Sequence, residues 1–301
     1  MSVEGAAGGR PEHGVIHDIG YRHYDGPRLG RSYVQRSLFA ESLKGSYGLG
    51  RAARTKVMPM LLLAAMCVPT LIIVVVASVT GGAELPVGYT AYLTQLQVVI
   101  AVYVAAQAPA SVSRDLRFGI VPLYFSRPMR RVDYVRAKYA ASATAVFVLL
   151  AAPLTILFAG ALLAEMPLGE HLPDYLRSLV GAALLAVVLA GIGLVIAAFT
   201  PRRGLGIAAI VSVLLVLAGV QTAAQAIAVE EGAGTVAGYL GLLSPFSLVD
   251  GVSTELFGTD TVLWAGPPGT VGTAVFVAVT VLLVAACYGL LLRRYRRVTG
   301  S

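Results

Sequence analysis

The apolar positions of the chain are gathered into six long runs that contain no Asp, Glu, Lys, Arg or His. A hydrocarbon core about 30 Å thick requires roughly 20 residues of helix, since each residue adds about 1.5 Å. The pattern therefore predicts an all-α integral membrane protein with six transmembrane helices. The predicted spans are residues 58–79, 91–113, 139–164, 178–200, 205–229 and 271–292.

Composition excludes the two main alternatives to a membrane protein. Hydrophobic residues make up 57% of the chain, charged residues only 13%, and the mean hydropathy is +0.77. A soluble domain carries about 25% charged residues, and disorder requires low hydrophobicity. Two cysteines, Cys67 and Cys287, cannot form a disulfide scaffold and do not lie in a metal-binding spacing.

Basic residues lie almost entirely on one side of the predicted spans. The segments 1–57, 114–138, 201–204 and 293–301 hold 22 of the 23 Lys and Arg residues, and only Arg177 falls on the other side. Because cytoplasmic segments of membrane proteins are enriched in Lys and Arg, both termini are predicted to be cytoplasmic. This topology accounts for the net charge of +7, so no nucleic-acid partner is expected.

The same division defines the predicted regions. Residues 1–57 form a cytoplasmic arm without an apolar signal-peptide core, residues 58–292 the transmembrane domain, and residues 293–301 a basic cytoplasmic tail. Within the arm, the pattern of residues 32–47 predicts an interfacial helix on the cytoplasmic membrane surface; a loosely ordered arm is the alternative. The long external segment 230–270 predicts short re-entrant or interfacial helices, with a plain loop as the alternative.

The cytoplasmic segment 114–138 is too apolar for a solvated linker, although it holds seven basic residues. Its aromatic and aliphatic side chains favour a docking surface for a protein over binding to anionic lipid. The residues around Ser126 and Pro128 predict a helix start that continues into the third span. The stretch 114–119 predicts a separate short helical turn that ends at a glycine.

Catalytic chemistry is not predicted from the sequence. The chain has no phosphate-binding loop, metal-ligand cluster or nucleophile motif, so neither a catalytic residue nor a bound metal or cofactor is expected. The spans lack the ionisable residues that proton- or sodium-driven carriers usually contain. Their amides predict hydrogen bonds between helices or, alternatively, a substrate path. These amides are Gln95, Gln97, Gln107, Gln221 and Gln225.

The segment 113–139, "SRDLRFGIVPLYFSRPMRRVDYVRAKY", resembles the loop between the second and third spans of the permease subunits of type-2 ABC exporters, in particular those of actinobacteria. In that family the loop has an acidic residue, a glycine, apolar residues, a Ser/Thr-x-Pro or Arg-Pro step, and then Arg, Tyr and Lys. The matching positions here are Asp115, Gly119, Leu123, Ser126, Arg127, Pro128, Arg131, Tyr134 and Lys138. The pair Arg114-Asp115 departs from the Glu-Arg that is frequent in the family.

The resemblance implies a permease subunit in a bacterial cytoplasmic membrane, working with two copies of a separate ATPase subunit that binds ATP and Mg²⁺. It also implies a second permease chain, identical or related. The ATPase would dock on the arm helix and on the loop; the expected coupling residues are Arg114, Asp115, Arg117, Phe118, Gly119, Val121, Leu123, Arg127, Pro128 and Arg131.

Two other classes of protein remain as alternatives at this point. A membrane anchor that recruits a cytoplasmic partner would account for the basic loop but not for six spans. An integral membrane enzyme would need clustered catalytic groups near one interface, and the sequence offers none.

Overall fold

The computed structural model describes residues 26, 29–80, 85–117, 124, 129–200, 202–259 and 261–298, and gives residues 80, 114, 117, 297 and 298 by their backbone alone. All regular structure in these residues is helical, which confirms the predicted all-α class. The helices are α1 (Arg31–Ser46), α2 (Ala53–Thr80), α3 (Tyr89–Gln95), α4 (Gln97–Arg117), α5 (Arg131–Leu163), α6 (Leu168–Phe199), α7 (Arg203–Glu230), α8 (Gly234–Leu240), α9 (Pro245–Phe257) and α10 (Gly269–Val298), with a 3-10 turn over Gly241–Leu243.

Five of these helices, α2, α5, α6, α7 and α10, are each long and apolar enough to cross a membrane. The second predicted span, residues 91–113, is not a single straight helix: α3 and α4 meet at Leu96 with a bend of 62°. The break follows Thr94, whose hydroxyl donates to the Thr90 carbonyl one turn earlier at 3.3 Å, and side-chain bonds of this kind often bend helices. The fold fits a multi-pass membrane protein with five spans, or six when the bent pair is counted as one.

The carboxyl end of α4 and the start of α5, on either side of the segment 118–130, differ from the predicted helix limits. Residues 114–117 continue α4 and do not form a separate turn. Helix α5 continues into the third span, as predicted, but begins at Arg131 and not near Ser126 or Pro128. Its N-cap, Arg130, is extended, and the Arg130 N–H donates to Asp133 Oδ2 at 3.0 Å. This carboxylate satisfies one of the free amides of the first turn.

Helix α6 lies at the centre of the bundle and contacts α4, α5, α9 and α10. Its buried face carries the small residues Ala182, Ala186 and Ala190, each at most 2% exposed. A side chain on Gly193 would meet Val104 of α4 at 2.7 Å. Small residues therefore allow α6 to approach its neighbours closely, as they do in many membrane helix pairs.

Helix α1, which confirms the helix predicted for residues 32–47, packs along α5 and touches α4. Leu38 is buried, and the Tyr47 hydroxyl donates to the Ala145 carbonyl at 2.7 Å. Burial raises the pKa of Tyr47, so the hydroxyl keeps its proton. We call this side of the bundle, with α1 and the carboxyl end of α10, the terminal face; its location along a membrane surface stays a prediction.

The other side, which we call the opposite face, carries α8, the 3-10 turn and α9. Helices in the segment 230–270 are thereby confirmed. Ser244 caps α9 by accepting the Phe246 N–H at 3.3 Å, Pro245 occupies its first turn, and Gly258 ends it with a φ of 66°. Residues 245–253 are all buried against α6 and α10, so α9 is an internal helix and not an interfacial one.

Candidate functional site

Three side chains join the end of α4 to the start of α5 on the terminal face. Asp115 Oδ2 accepts the Tyr134 hydroxyl at 2.7 Å and lies 3.0 Å from Lys138 Nζ. Lys138 also donates to the Ser111 carbonyl at 2.9 Å. We call Asp115, Tyr134 and Lys138 the clasp. The clasp ties together the two helices that precede and follow the segment 118–130.

A second polar contact joins α1 to the same region. The Arg31 guanidinium binds both oxygens of Asp133, with Nη2 to Oδ1 at 2.7 Å. This carboxylate raises the pKa of Arg31, chiefly through the side-chain hydrogen bond. Asp133 is buried whereas Arg31 is partly exposed, so one fixed carboxylate positions both the first turn of α5 and the amino end of α1.

The clasp also reaches the last helix. The Tyr134 ring meets the Tyr295 ring edge-on at 5.0 Å, and both residues are at most 1% exposed. Arg294, the neighbour of Tyr295 on α10, donates to the Ala198 carbonyl of α6 at 3.2 Å. On the terminal face, therefore, α4, α5, α6 and α10 are linked by one set of buried aromatic and polar contacts.

The predicted coupling residues lie at or between the ends of α4 and α5. Asp115 faces the bundle through the clasp, and Arg131 is exposed at the first turn of α5. Arg114 and Arg117 belong to the last turns of α4, where only their backbone is described. The remaining predicted positions, Phe118, Gly119, Val121, Leu123, Arg127 and Pro128, lie outside the described residues. The roles of all ten in coupling stay predictions.

Four of the five predicted glutamines meet on the opposite face. Gln95, Gln97, Gln221 and Gln225 line one cavity of about 260 Å³. Gln221 donates to Gln225 Oε1 at 2.9 Å, and Gln225 Nε2 donates to the carbonyls of Ala237 and Ala265 at 2.9 and 2.8 Å. These bonds join α7 to α8 and to the segment before α10. Hydrogen bonding between elements therefore explains why two amides, Gln221 and Gln225, are buried here.

Gln107 is separate from the other glutamines. It lines a cavity of about 220 Å³ on the terminal face, between α1, α4 and α5, together with Asp115 and Lys138. The five glutamines therefore do not line a single cavity. Whether either group contacts a transported molecule stays a prediction.

Two sets of polar residues were not predicted as sites from the sequence. Tyr134 and Lys138 are part of the loop pattern that resembles the exporter permeases, so that pattern could have identified them as site residues. Asp250, Ser253 and Thr259, which are buried on the opposite face, were not among the predicted site residues. In the described part of the chain, no group of three or more His, Cys, Asp or Glu is arranged to hold a metal ion.

Comparison of the chain with known proteins gives no match, either to a model of a protein family or to a curated protein.

Proposed function

We propose that the protein is the permease subunit of an ATP-driven exporter, which forms the substrate path and has no enzymatic activity of its own. The observation that carries the proposal is the clasp, because it ties together the two helices that bear an apolar, basic loop predicted to face the cytoplasm. A loop anchored at both ends can transmit force from a docked partner to α4 and α5. The multi-pass helical fold is compatible with this role.

The proposed working unit contains two permease chains, identical or related, and two copies of a separate ATPase that binds ATP and Mg²⁺. It works in a bacterial cytoplasmic membrane with both termini inside. Lipid surrounds the apolar side chains that the helices expose, among them Val75, Val79, Val281 and Leu282. No nucleic acid takes part.

Coupling follows from the contacts of the terminal face. A partner that pushes on the loop moves the end of α4 and the start of α5 together, because Asp115 joins them. The contact between Tyr134 and Tyr295 carries that displacement to α10. Helix α1 follows α5 through Arg31 and Asp133. Force applied to the loop by the ATPase would thus displace α1, α4, α5 and α10 together relative to α6.

The test is reconstitution of the chain with the candidate ATPase in liposomes. Phe118→Ala should weaken copurification of the ATPase more than Arg117→Ala, because truncating a buried apolar anchor commonly costs over about 2 kcal/mol and losing an exposed charge costs little. Tyr134→Phe, which removes one bond of the clasp, should leave copurification intact and lower the stimulation of ATP hydrolysis by the permease.

Leu163→Ala is the control, since this apolar residue at the carboxyl end of α5 is 83% exposed, lines neither of the cavities described above and should affect neither measurement. The membrane-anchor alternative predicts copurification without any change in ATP hydrolysis. The proposed docking of the ATPase on the loop fails if Phe118→Ala binds the ATPase normally while removal of the loop arginines abolishes membrane-dependent activity, because that order indicates lipid binding.

A further inference from the structure

The opposite face contains buried oxygen atoms that lack a hydrogen-bond partner among the described residues. They are Asp250 Oδ1, Ser253 Oγ, Thr254 Oγ1 and Thr259 Oγ1. Asp250 is 6% exposed, Ser253 3% and Thr259 8%. An unpaired buried oxygen is costly, and a buried carboxylate more so, unless a ligand compensates for the lost water.

Three of these residues line one small pocket. Asp250, Ser253 and Thr259 meet the hydroxyl-bearing residues Thr90 and Ser178 around a cavity of about 40 Å³. This space can hold one small ion or a few water molecules, since one water requires about 10–15 Å³ on this measure. Gly181 of α6 keeps it open, because a Cβ at this position would lie 2.9 Å from Ser253 Oγ.

The pocket lies between two larger cavities. On one side it shares Thr90, Ser178 and Thr259 with a vestibule of about 300 Å³, which Glu170 and Asp174 also line. On the other side it shares Thr94, Phe246 and Asp250 with the cavity of the glutamines. The pocket of Asp250 thus adjoins both an acidic vestibule and an amide-lined chamber.

The charges around the pocket favour a cation. In the described part of the chain, no Lys or Arg lines any of the three cavities. The titratable groups of the vestibule are Tyr89 on α3 and Glu170, His171 and Asp174 on α6. Arg177 forms an exposed pair with Asp174 at 3.0 Å. On α9 itself, Glu255 is exposed and accepts the Thr273 hydroxyl at 3.3 Å.

We propose that Asp250, Ser253 and Thr259 form a binding site for a small monovalent cation, either an alkali ion or a primary ammonium group, entered from the vestibule. The single negative charge matches a single positive charge, and the other donors are hydroxyl oxygens. Divalent Ca²⁺ fits poorly, because it requires six to eight oxygen ligands and commonly several carboxylates. The site does not depend on an ATPase partner, so its failure and that of the permease proposal are separable.

Burial raises the pKa of Asp250 to about 6, while the Val262 N–H and the Thr261 hydroxyl, which both donate to Oδ2, oppose the rise. A proton and a cation therefore compete for the same carboxylate. Above about pH 6 the Asp250 carboxylate is negatively charged, and a bound cation would neutralise this charge.

The experiment is thermal unfolding of the full chain in detergent at pH 7.5, at constant ionic strength. The chlorides of sodium, potassium and methylammonium are compared with that of N-methyl-D-glucamine, whose cation is too large for the pocket. A bound ligand raises the melting temperature, and we expect a rise of at least about 3 °C with one or more of the small cations. A response to sodium or potassium alone identifies an alkali site, and a response to methylammonium alone an amine site.

Three further measurements decide the assignment. Below pH 6, the cation concentration giving half of the maximal shift should rise about tenfold for each pH unit, because one proton competes with one cation. Asp250→Asn should abolish the shift, whereas Glu255→Gln, which removes the same charge from an exposed position on α9, should keep it. The absence of a cation-specific shift in the natural protein, or an equal shift in Asp250→Asn, overturns the proposal.

If Asp250→Asn does not fold, Thr259→Val and Gly181→Ala provide the same test. The first removes a lining oxygen, and the second places a methyl group against Ser253 Oγ. Each should raise the required cation concentration at least about tenfold, which is the effect of losing about 1.4 kcal/mol of binding. Unchanged cation dependence in both variants would contradict the proposed site.

Discussion

Lys138 shows how strongly a single ion pair can matter on the terminal face. Its side chain is only 10% exposed and Asp115 only 14%, at a separation of 3.0 Å. Removing Lys138 leaves the Asp115 carboxylate bonded to the Tyr134 hydroxyl but without this positive charge, and breaking a buried pair in this way typically costs about 3–5 kcal/mol. Lys138→Met should therefore lower the unfolding free energy by about this amount in detergent, and the double variant Asp115→Leu/Lys138→Met should recover at least half of the loss.

The pair Arg177–Asp174 is the matched control for this prediction. It has the same separation of 3.0 Å, but its side chains are 46% and 54% exposed. Exposed pairs contribute at most about 1 kcal/mol, so Arg177→Met should have a small effect. Equal losses in Lys138→Met and Arg177→Met would show that burial does not control the energy of the clasp.

Asp250 makes the stability of the protein depend on pH. Its pKa of about 6 lies above the ordinary value of 3.8, so the folded protein binds the proton more tightly than the unfolded chain does. The stabilisation is fully present below pH 3.8 and is lost as the pH rises through 6. In N-methyl-D-glucamine buffer, Asp250→Asn should unfold at a higher temperature than the natural protein at pH 7.5, and the difference should vanish near pH 4.

The pairing of helices depends on where small residues lie, and Gly160 tests this at the scale of an element. A Cβ on Gly160 of α5 would lie 2.8 Å from Val74 Cβ of α2, so the two helices must separate or shift. Overpacking of this kind typically costs about 1–3 kcal/mol. Gly160→Ala should lower the melting temperature, whereas Gly219→Ala, with no neighbour within 4 Å, should leave it unchanged or raise it. A neutral Gly160→Ala variant would mean that α2 is loosely packed on α5.

The extent of the helices marks what sequence patterns can and cannot predict. Hydrophobic runs identify the membrane-spanning parts, because lipid excludes charge from long stretches. They do not identify helix ends: α5 begins at Arg131, eight residues before its apolar run, because Asp133 satisfies the amide of Arg130. The bend at Leu96 was also missed, since Thr94, Gln95 and Gln97 carry no charge that would divide the run.

The two candidate sites were predicted to different degrees for a related reason. The coupling loop is recognisable because its residues are close in sequence. Asp250, Ser253 and Thr259 are also close in sequence, but Thr90 of α3 and Ser178 of α6, which complete the pocket, are distant along the chain. The packing of α6 against α3 and α9 brings them together.

At the scale of the whole molecule, the division of basic residues predicts that the terminal face is cytoplasmic. In a variant with Cys67 and Cys287 replaced by alanine, single cysteines would be placed at Ser37 on α1, and at Glu170 and Thr235 on the opposite face. All three positions are exposed. A membrane-impermeant maleimide should label Glu170→Cys and Thr235→Cys in intact cells, and label Ser37→Cys only after the membrane is opened. Detergent-solubilised samples, in which all three should react, control for reactivity. Labelling of Ser37→Cys from outside would reverse the topology, and the loop 118–130 could then not meet a cytoplasmic ATPase.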